Sequence, residues 1–115
     1  MSKRFIRRSL LYMPGSSEKM LNKAAGLTAD AVIMDLEDAV SIPEKDAARE
    51  RVLPYIAEIR NSGKEVIVRV NGMDTMWGIR DILAAAPYRP DTIIIPKADE
   101  RALTIADGLL CAVER

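Results

Sequence analysis

Four short apolar runs recur along this chain of 115 residues: "SLLYM" (9–13), "AVIMDL" (31–36), "EVIVRV" (65–70) and "DTIIIP" (91–96). They are rich in Val, Ile and Leu and nearly continuous, where a strand with one wet face would alternate. Such runs are the pattern of parallel strands covered on both faces. Parallel neighbours need a crossover, usually a helix, and helix-like segments fill the gaps. "SSEKMLNKAAGL" (16–27) opens with Ser and Glu, a cap and an acid suited to a positive helix end. "PEKDAARERVLPYIAEIRNSG" (43–63) has Pro43 in its first turn and stops at Gly63, and Pro54 predicts a kink or a break inside it. "TMWGIRDILAAAP" (75–87) stops at Pro87, and "DERALTIADGLLCAVER" (99–115) carries Gly108 as a weak point. The order βαβαβαβα predicts an α/β fold with a parallel sheet. No linker or low-complexity tract divides the chain, so residues 1–115 read as a single unit. Two architectures fit: an open doubly wound sheet, or the first half of a (β/α)8 barrel, which takes about 250 residues when whole.

Several function classes fall away on composition. Lys and Arg number 17 and so do Asp and Glu, whereas a nucleic-acid surface is basic. No apolar stretch approaches the ~18 residues of a membrane span. The basic start "MSKRFIRRSLLYM" lacks the apolar core and small-residue cleavage site of a signal peptide, and its end reads as strand. Cys111 is alone, so there is no disulfide framework, and a reducing cytoplasm is the expected setting. There is no His. That removes a Ser-His-Asp triad and any His-based metal site within the chain. Proton transfer falls to Asp, Glu, Lys, Tyr, Cys or a metal-bound water.

Both architectures bind ligands at the carboxyl ends of the strands, and polar residues gather there. After the first run, Pro14–Gly15 turns the chain and Ser16–Ser17 start a helix. Its free N–H groups suit a phosphate or carboxylate, though an ordinary capped turn reads the same way. Neither a Walker loop nor a G-x-G-x-x-G is present. After the second run comes "DLEDAV", where strand alternation sets Asp35 and Glu37 on one face and Asp38 on the other. The pair either holds Mg2+, directly or through water, or is neutralised by Lys45 and Arg49 of the next helix. After the third, Arg69 and Asn71 share a face. The guanidinium suits bidentate capture of a substrate carboxylate, or a salt bridge to Asp35 or Glu37 on the neighbouring strand. After the fourth, Lys97 offers a Schiff-base amine, a cation for a phosphate or enolate oxygen, or a salt-bridge partner.

The ordered set R-S-x-L-x-x-P-G, A-D-x-V-x-x-D-L-E-D-A-V, K-x-x-A-R, V-R-V-N and P-K, running from Arg8 to Glu100, resembles the N-terminal part of the citrate lyase beta-subunit family. That family includes citryl-CoA, malyl-CoA and citramalyl-CoA lyases. The resemblance implies the first half of a (β/α)8 barrel and a Mg2+-dependent carbon–carbon lyase acting on a 3-hydroxyacyl-CoA through an acyl-CoA enolate. It implies Arg69, Glu37 and Asp38 as catalytic residues. Arg69, Asn71 and Lys97 fall to substrate binding, and Arg8, Pro14 and Gly15 to CoA. Glu37 and Asp38 match an acidic pair that orients the metal's waters. The direct metal ligands, a Glu and an Asp, are expected beyond Arg115, so catalysis needs a C-terminal half, and the chain is expected to be a piece of a longer enzyme. A CoA- or acyl-carrier-linked substrate, and a homo-oligomer with a trimer as one form, follow from the same resemblance. Two other readings stay open: a non-catalytic assembly module, and a Schiff-base aldolase using Lys97.

Overall fold

The structure, a computed structural model, describes residues 8–114. Four βα units follow one another: β1 (Leu10–Pro14), α1 (Glu18–Ala24), β2 (Ala31–Asp35), α2 (Lys45–Asn61), β3 (Glu65–Arg69), α3 (Met76–Ala85), β4 (Thr92–Ile94) and α4 (Glu100–Glu114). Short 3-10 turns precede α2 (Ile42–Glu44) and follow α3 (Ala86–Tyr88). All strand pairings are parallel and the sheet order is β1-β2-β3-β4.

That order decides between the two architectures. A doubly wound sheet reverses its strand order part-way and carries helices on both faces. Here the order never reverses, and all four helices join one core. Met13, Val32, Met34, Val66 and Val68 from the strands meet Leu21, Val52, Ile56, Ile82 and Ala106 from the helices. Residues of the other strand parity form a small separate cluster, Ala31, Ile33 and Ile67 with Ile94. Leu10 and Tyr12, in register with Ala31 and Ile33, are about half exposed. Sequential parallel strands with helices on one side are the arrangement of consecutive units in a (β/α)8 barrel. The open face is the one that such a barrel turns inward.

Local chemistry explains most of the boundaries. Ser17 caps α1 by accepting from the Met20 N–H at 3.2 Å, and Thr75 caps α3 by accepting from the Gly78 N–H at 3.1 Å. Gly63, at φ +89°, ends α2 in the left-handed region that only glycine enters freely. Of the kink or break expected at Pro54, the break does not occur: α2 runs from Lys45 to Asn61. Pro54 lies on the exposed side, where water can take the carbonyl that its missing N–H leaves free. β4 is shorter than its apolar run, spanning three residues at an edge of the sheet. Among the described residues no helix is long and apolar enough to cross a membrane.

Gly15 is glycine because space is short there. Its N–H donates to the Asp35 carbonyl at 2.8 Å, and a Cβ would lie 2.9 Å from that same oxygen and from the Leu36 side chain.

Candidate active site

β2 and β3 are in register, so their last residues, Asp35 and Arg69, stand side by side at the carboxyl edge of the sheet. Asp35 is 1% exposed, on a strand buried throughout. Its two oxygens are evenly loaded. Oδ1 accepts from Arg69 Nε at 2.9 Å and from the Glu37 N–H at 2.9 Å. Oδ2 accepts from Arg69 Nη2 at 2.7 Å and from the Ala39 N–H at 3.0 Å. Burial alone would raise the pKa of Asp35. The guanidinium and the two backbone N–H groups outweigh it and hold the carboxyl below its ordinary value. The same fork raises the pKa of Arg69, so the pair is ionised at any working pH.

The fork fixes the guanidinium by one edge. Tyr12 of β1 lies under it, with the ring centroid 5.3 Å from Cζ, and Glu37 and Asp38 stand 3.8 and 4.0 Å away. Nη1 has no hydrogen-bond partner among the described residues, and the side chain keeps 21% of its surface. An arginine oriented by a buried carboxylate, with its outer edge open, is preorganised to take an anionic oxygen.

Of the readings open for Arg69, the salt bridge to Asp35 is the one found in the structure. Neutralisation of the acidic pair by Lys45 and Arg49 is not found. Arg49 pairs with Asp81 at 2.8 Å and with Asp46 at 3.0 Å, and Lys45 donates to main-chain carbonyls. Asp35 is already filled by Arg69, so the helix cations turn elsewhere. The alternation expected through Asp38 also ends early. β2 stops at Asp35, the chain turns, and Asp38 comes round to the same guanidinium as Glu37. Burial and the neighbouring Asp38 carboxylate raise the pKa of Glu37, partly offset by Arg69. Asp38 is mostly in water, its side chain 81% exposed.

Glu37 also borders a cleft of 760 Å3 between the loops that follow β2, β3 and β4. Lys45, Asn71, Trp77, Lys97 and Arg101 are among its other walls. Asn71 is 3% exposed with its amide engaged at both ends: Oδ1 accepts from Lys45 Nζ at 2.6 Å, and Nδ2 donates to Asp81 at 2.7 Å. Lys97 is exposed, in a left-handed turn at φ +49°. Arg8 is not brought to Pro14 and Gly15. It precedes β1, at the opposite end of the strand, where its N–H donates to Asp30 at 2.9 Å.

No group of three His, Cys, Asp or Glu able to hold a metal exists among the described residues. Asp35 has spent its oxygens, which leaves Glu37 and Asp38.

Sequence reading passed over three residues of this region as site members: Lys45, Asp81 and Trp77. Asp81 had a legible signal. It stands three residues after Gly78 and four before Ala85, on the buried stripe of α3.

Residues 8–107 match the HpcH/HpaI aldolase/citrate lyase family. A (3S)-malyl-CoA thioesterase of Cereibacter sphaeroides is 54% identical over 78% of this chain and 32% of its own length. The citrate lyase subunit beta of Escherichia coli K12 is 39% identical over 81% of this chain and 31% of its own. Among solved structures, the citrate lyase beta subunit of M. tuberculosis complexed with oxaloacetate and magnesium superposes with a TM-score of 0.68 at 33% identity. That match covers 86% of this chain and 44% of the other. The chain thus spans about a third of the length of the curated relatives it matches.

Proposed function

Because the chain belongs to the HpcH/HpaI aldolase/citrate lyase family, we propose that it supplies Arg69 and the flanking carboxylates to an enzyme that breaks a carbon–carbon bond in a CoA-linked 3-hydroxy acid. The observation that carries this reading is the Arg69 guanidinium, locked by buried Asp35 and open at Nη1. In the cleavage, the hydroxyl gives up its proton and the bond between C2 and C3 breaks. The bond's electron pair passes to C2 as a thioester enolate, and C3 becomes the carbonyl of a 2-oxoacid. Protonation of the enolate at C2 completes the acyl-CoA. Arg69 binds the carboxylate of the oxoacid half. Its fixed position lowers the cost of ordering the substrate. Glu37, whose burial raises its affinity for a proton, is the described carboxylate best suited to take the hydroxyl proton. Lys97, exposed at the cleft, suits an anionic oxygen better than a Schiff base, which needs a desolvated amine.

The magnesium-bound relative supports a magnesium ion in the whole protein. Glu37 and Asp38 would reach its water shell, and its direct ligands would come from outside the described residues. Such an ion, when bound, polarises the oxoacid carbonyl. In this reading the four units form one domain, and further βα units complete its barrel. A cytoplasmic homo-oligomer is part of the same reading.

A second reading is hydrolysis of the thioester, favoured by the 54% identity to a malyl-CoA thioesterase. One experiment separates the two. The whole protein is incubated with malyl-CoA and Mg2+. Glyoxylate with acetyl-CoA is the expected outcome. Free malate with CoA would favour hydrolysis. Neither pair of products, as an assembly module predicts, would refute both.

A further inference from the structure

Lys45, the first residue of α2, is 7% exposed, yet no carboxylate among the described residues pairs with its ammonium. All three of its N–H donors are used: on the carbonyls of Leu36 at 3.2 Å and Glu37 at 3.1 Å, and on Asn71 Oδ1 at 2.6 Å. The Trp77 ring lies 5.7 Å away and closes another side. Behind Asn71 the buried chain continues. Its backbone N–H and Nδ2 both donate to Asp81 Oδ2, at 2.9 and 2.7 Å, and Asp81 Oδ1 accepts from Arg49 Nε at 2.8 Å. Asp81 is wholly buried.

We propose that Lys45 is a positioning residue: the buried series Arg49–Asp81–Asn71 aims its ammonium at the Leu36 and Glu37 carbonyls, and this clamp fixes the Glu37 carboxylate beside the Arg69 guanidinium. The inference rests on the reading of Arg69 and Glu37 as working groups. The geometry behind it is a two-sided grip. β2 ends at Asp35, and after the Leu36 N–H, which donates to the Arg69 carbonyl at 2.9 Å, the segment leaves the sheet. Asp35 takes the N–H of Glu37, and the Glu37 C=O accepts from Lys45 at 3.1 Å as well as from the Val40 N–H of the turn at 3.1 Å. Residue 37 is therefore held at both backbone polar groups by buried charges from two different elements. An ammonium with every donor spent has none left for a substrate. Asn71 acts through Lys45 in the same way, and its role here is to hold rather than to bind.

The test compares the whole protein with its Lys45→Met and Asn71→Ala variants. Backbone amide exchange at residues 37–39 is read alongside kcat and KM for malyl-CoA. Exchange at residues 37–39 is expected to be about tenfold faster or more in both variants, with the amides of Val52 and Ile56 unchanged. The kcat is expected to fall about tenfold with KM within about twofold, the signature of lost positioning. Lys45→Arg, which can donate to both carbonyls, should regain part of the protection. Unchanged exchange overturns the inference, and so does faster exchange with kcat intact. A raised KM at constant kcat would instead make Lys45 a substrate contact. A wild-type protein without turnover would refute the lyase reading alone, and the exchange data would still decide whether the clamp holds. Should Lys45→Met not fold, Lys45→Gln, which keeps an amide donor, takes its place.

Discussion

Replacing Asp35 by Asn tests the fork at its source. Each oxygen of Asp35 accepts one bond from Arg69 and one from a backbone N–H. An amide in the same place must set its NH2 against two donors, whichever way it is turned. The variant also strands the Arg69 cation. Removing one partner of a buried pair costs about 3–5 kcal/mol. Asp35 is buried but Arg69 keeps 21% of its side-chain surface, so water screens part of the loss and the low end, about 3 kcal/mol, is expected. With a urea m-value of about 1.5 kcal/mol/M, the unfolding midpoint drops by about 2 M. Urea titrations of Asp35→Asn, Arg69→Met and the double variant measure it. The double variant is expected to recover about 1–3 kcal/mol relative to the sum of the singles. A loss under about 0.5 kcal/mol, or additive singles, would refute the fork as the device that holds Arg69. The pH dependence gives an independent check. The Asp35 carboxyl is held below its ordinary value of 3.8, so its contribution is present above that pH and lost as pH falls through the folded value. The margin of wild type over Asp35→Asn should therefore shrink in acid below pH 3.8.

Glu37 titrates with the opposite sign. Its pKa is raised above 4.5, so the protonated form is favoured by folding, and that stability is lost as pH rises through the folded value. Glu37→Gln should then be more stable than wild type at neutral pH and equal to it well below 4.5, as thermal melts across pH would show. Gly78→Ala should prevent the β3–α3 turn from forming, because a Cβ there would overlap the Gly72 carbonyl oxygen and come 2.5 Å from that of Asn71. The cost is expected to exceed about 3 kcal/mol, at the severe end for overpacking, and near-normal stability in denaturant would refute it. Arg69→Lys keeps the charge but loses the planar fork. KM for malyl-CoA should rise about tenfold or more, and unchanged kinetics would remove Arg69 from the site.

The strands and helices were legible because burial imposes continuous apolar runs on the sheet, and a period of 3.6 on the helices. What the sequence left open was how the units sit together. The choice between a doubly wound sheet and a barrel turns on strand order, which no local pattern encodes. The unbroken order β1-β2-β3-β4 decides it, together with the single core that all four helices share. At the mouth, Arg69 and Asp35 were readable as partners because both end apolar runs, and equal run lengths put them in register. The Lys45–Asn71–Asp81–Arg49 series was not read, since it joins residues from α2, α3 and the loop between β3 and α3, whose approach depends on packing. Asp81 resembled a solvent-facing acid in "GIRDIL", and only the phase of Gly78, Ile82 and Ala85 marks it as buried. Pro54 does not divide α2, because it faces water, and no local pattern tells on which side of the helix its ring lies.

The strand order of the sheet also sets an order of assembly. Each strand pairs with the one made just before it, so contacts are mostly between neighbouring segments of chain. A chain emerging from the ribosome can lay β2 on β1 and present the edge of β2 to β3 before β4 exists. Synthesis delivers residues at about 5–20 per second, far slower than such local steps. Arg69 therefore meets a carboxylate that is already in place when β3 docks. Asp81, on α3, arrives next and closes the buried series begun by Arg49. In that order the strands that carry the fork precede β4 and its loop, which wall the cleft beside it.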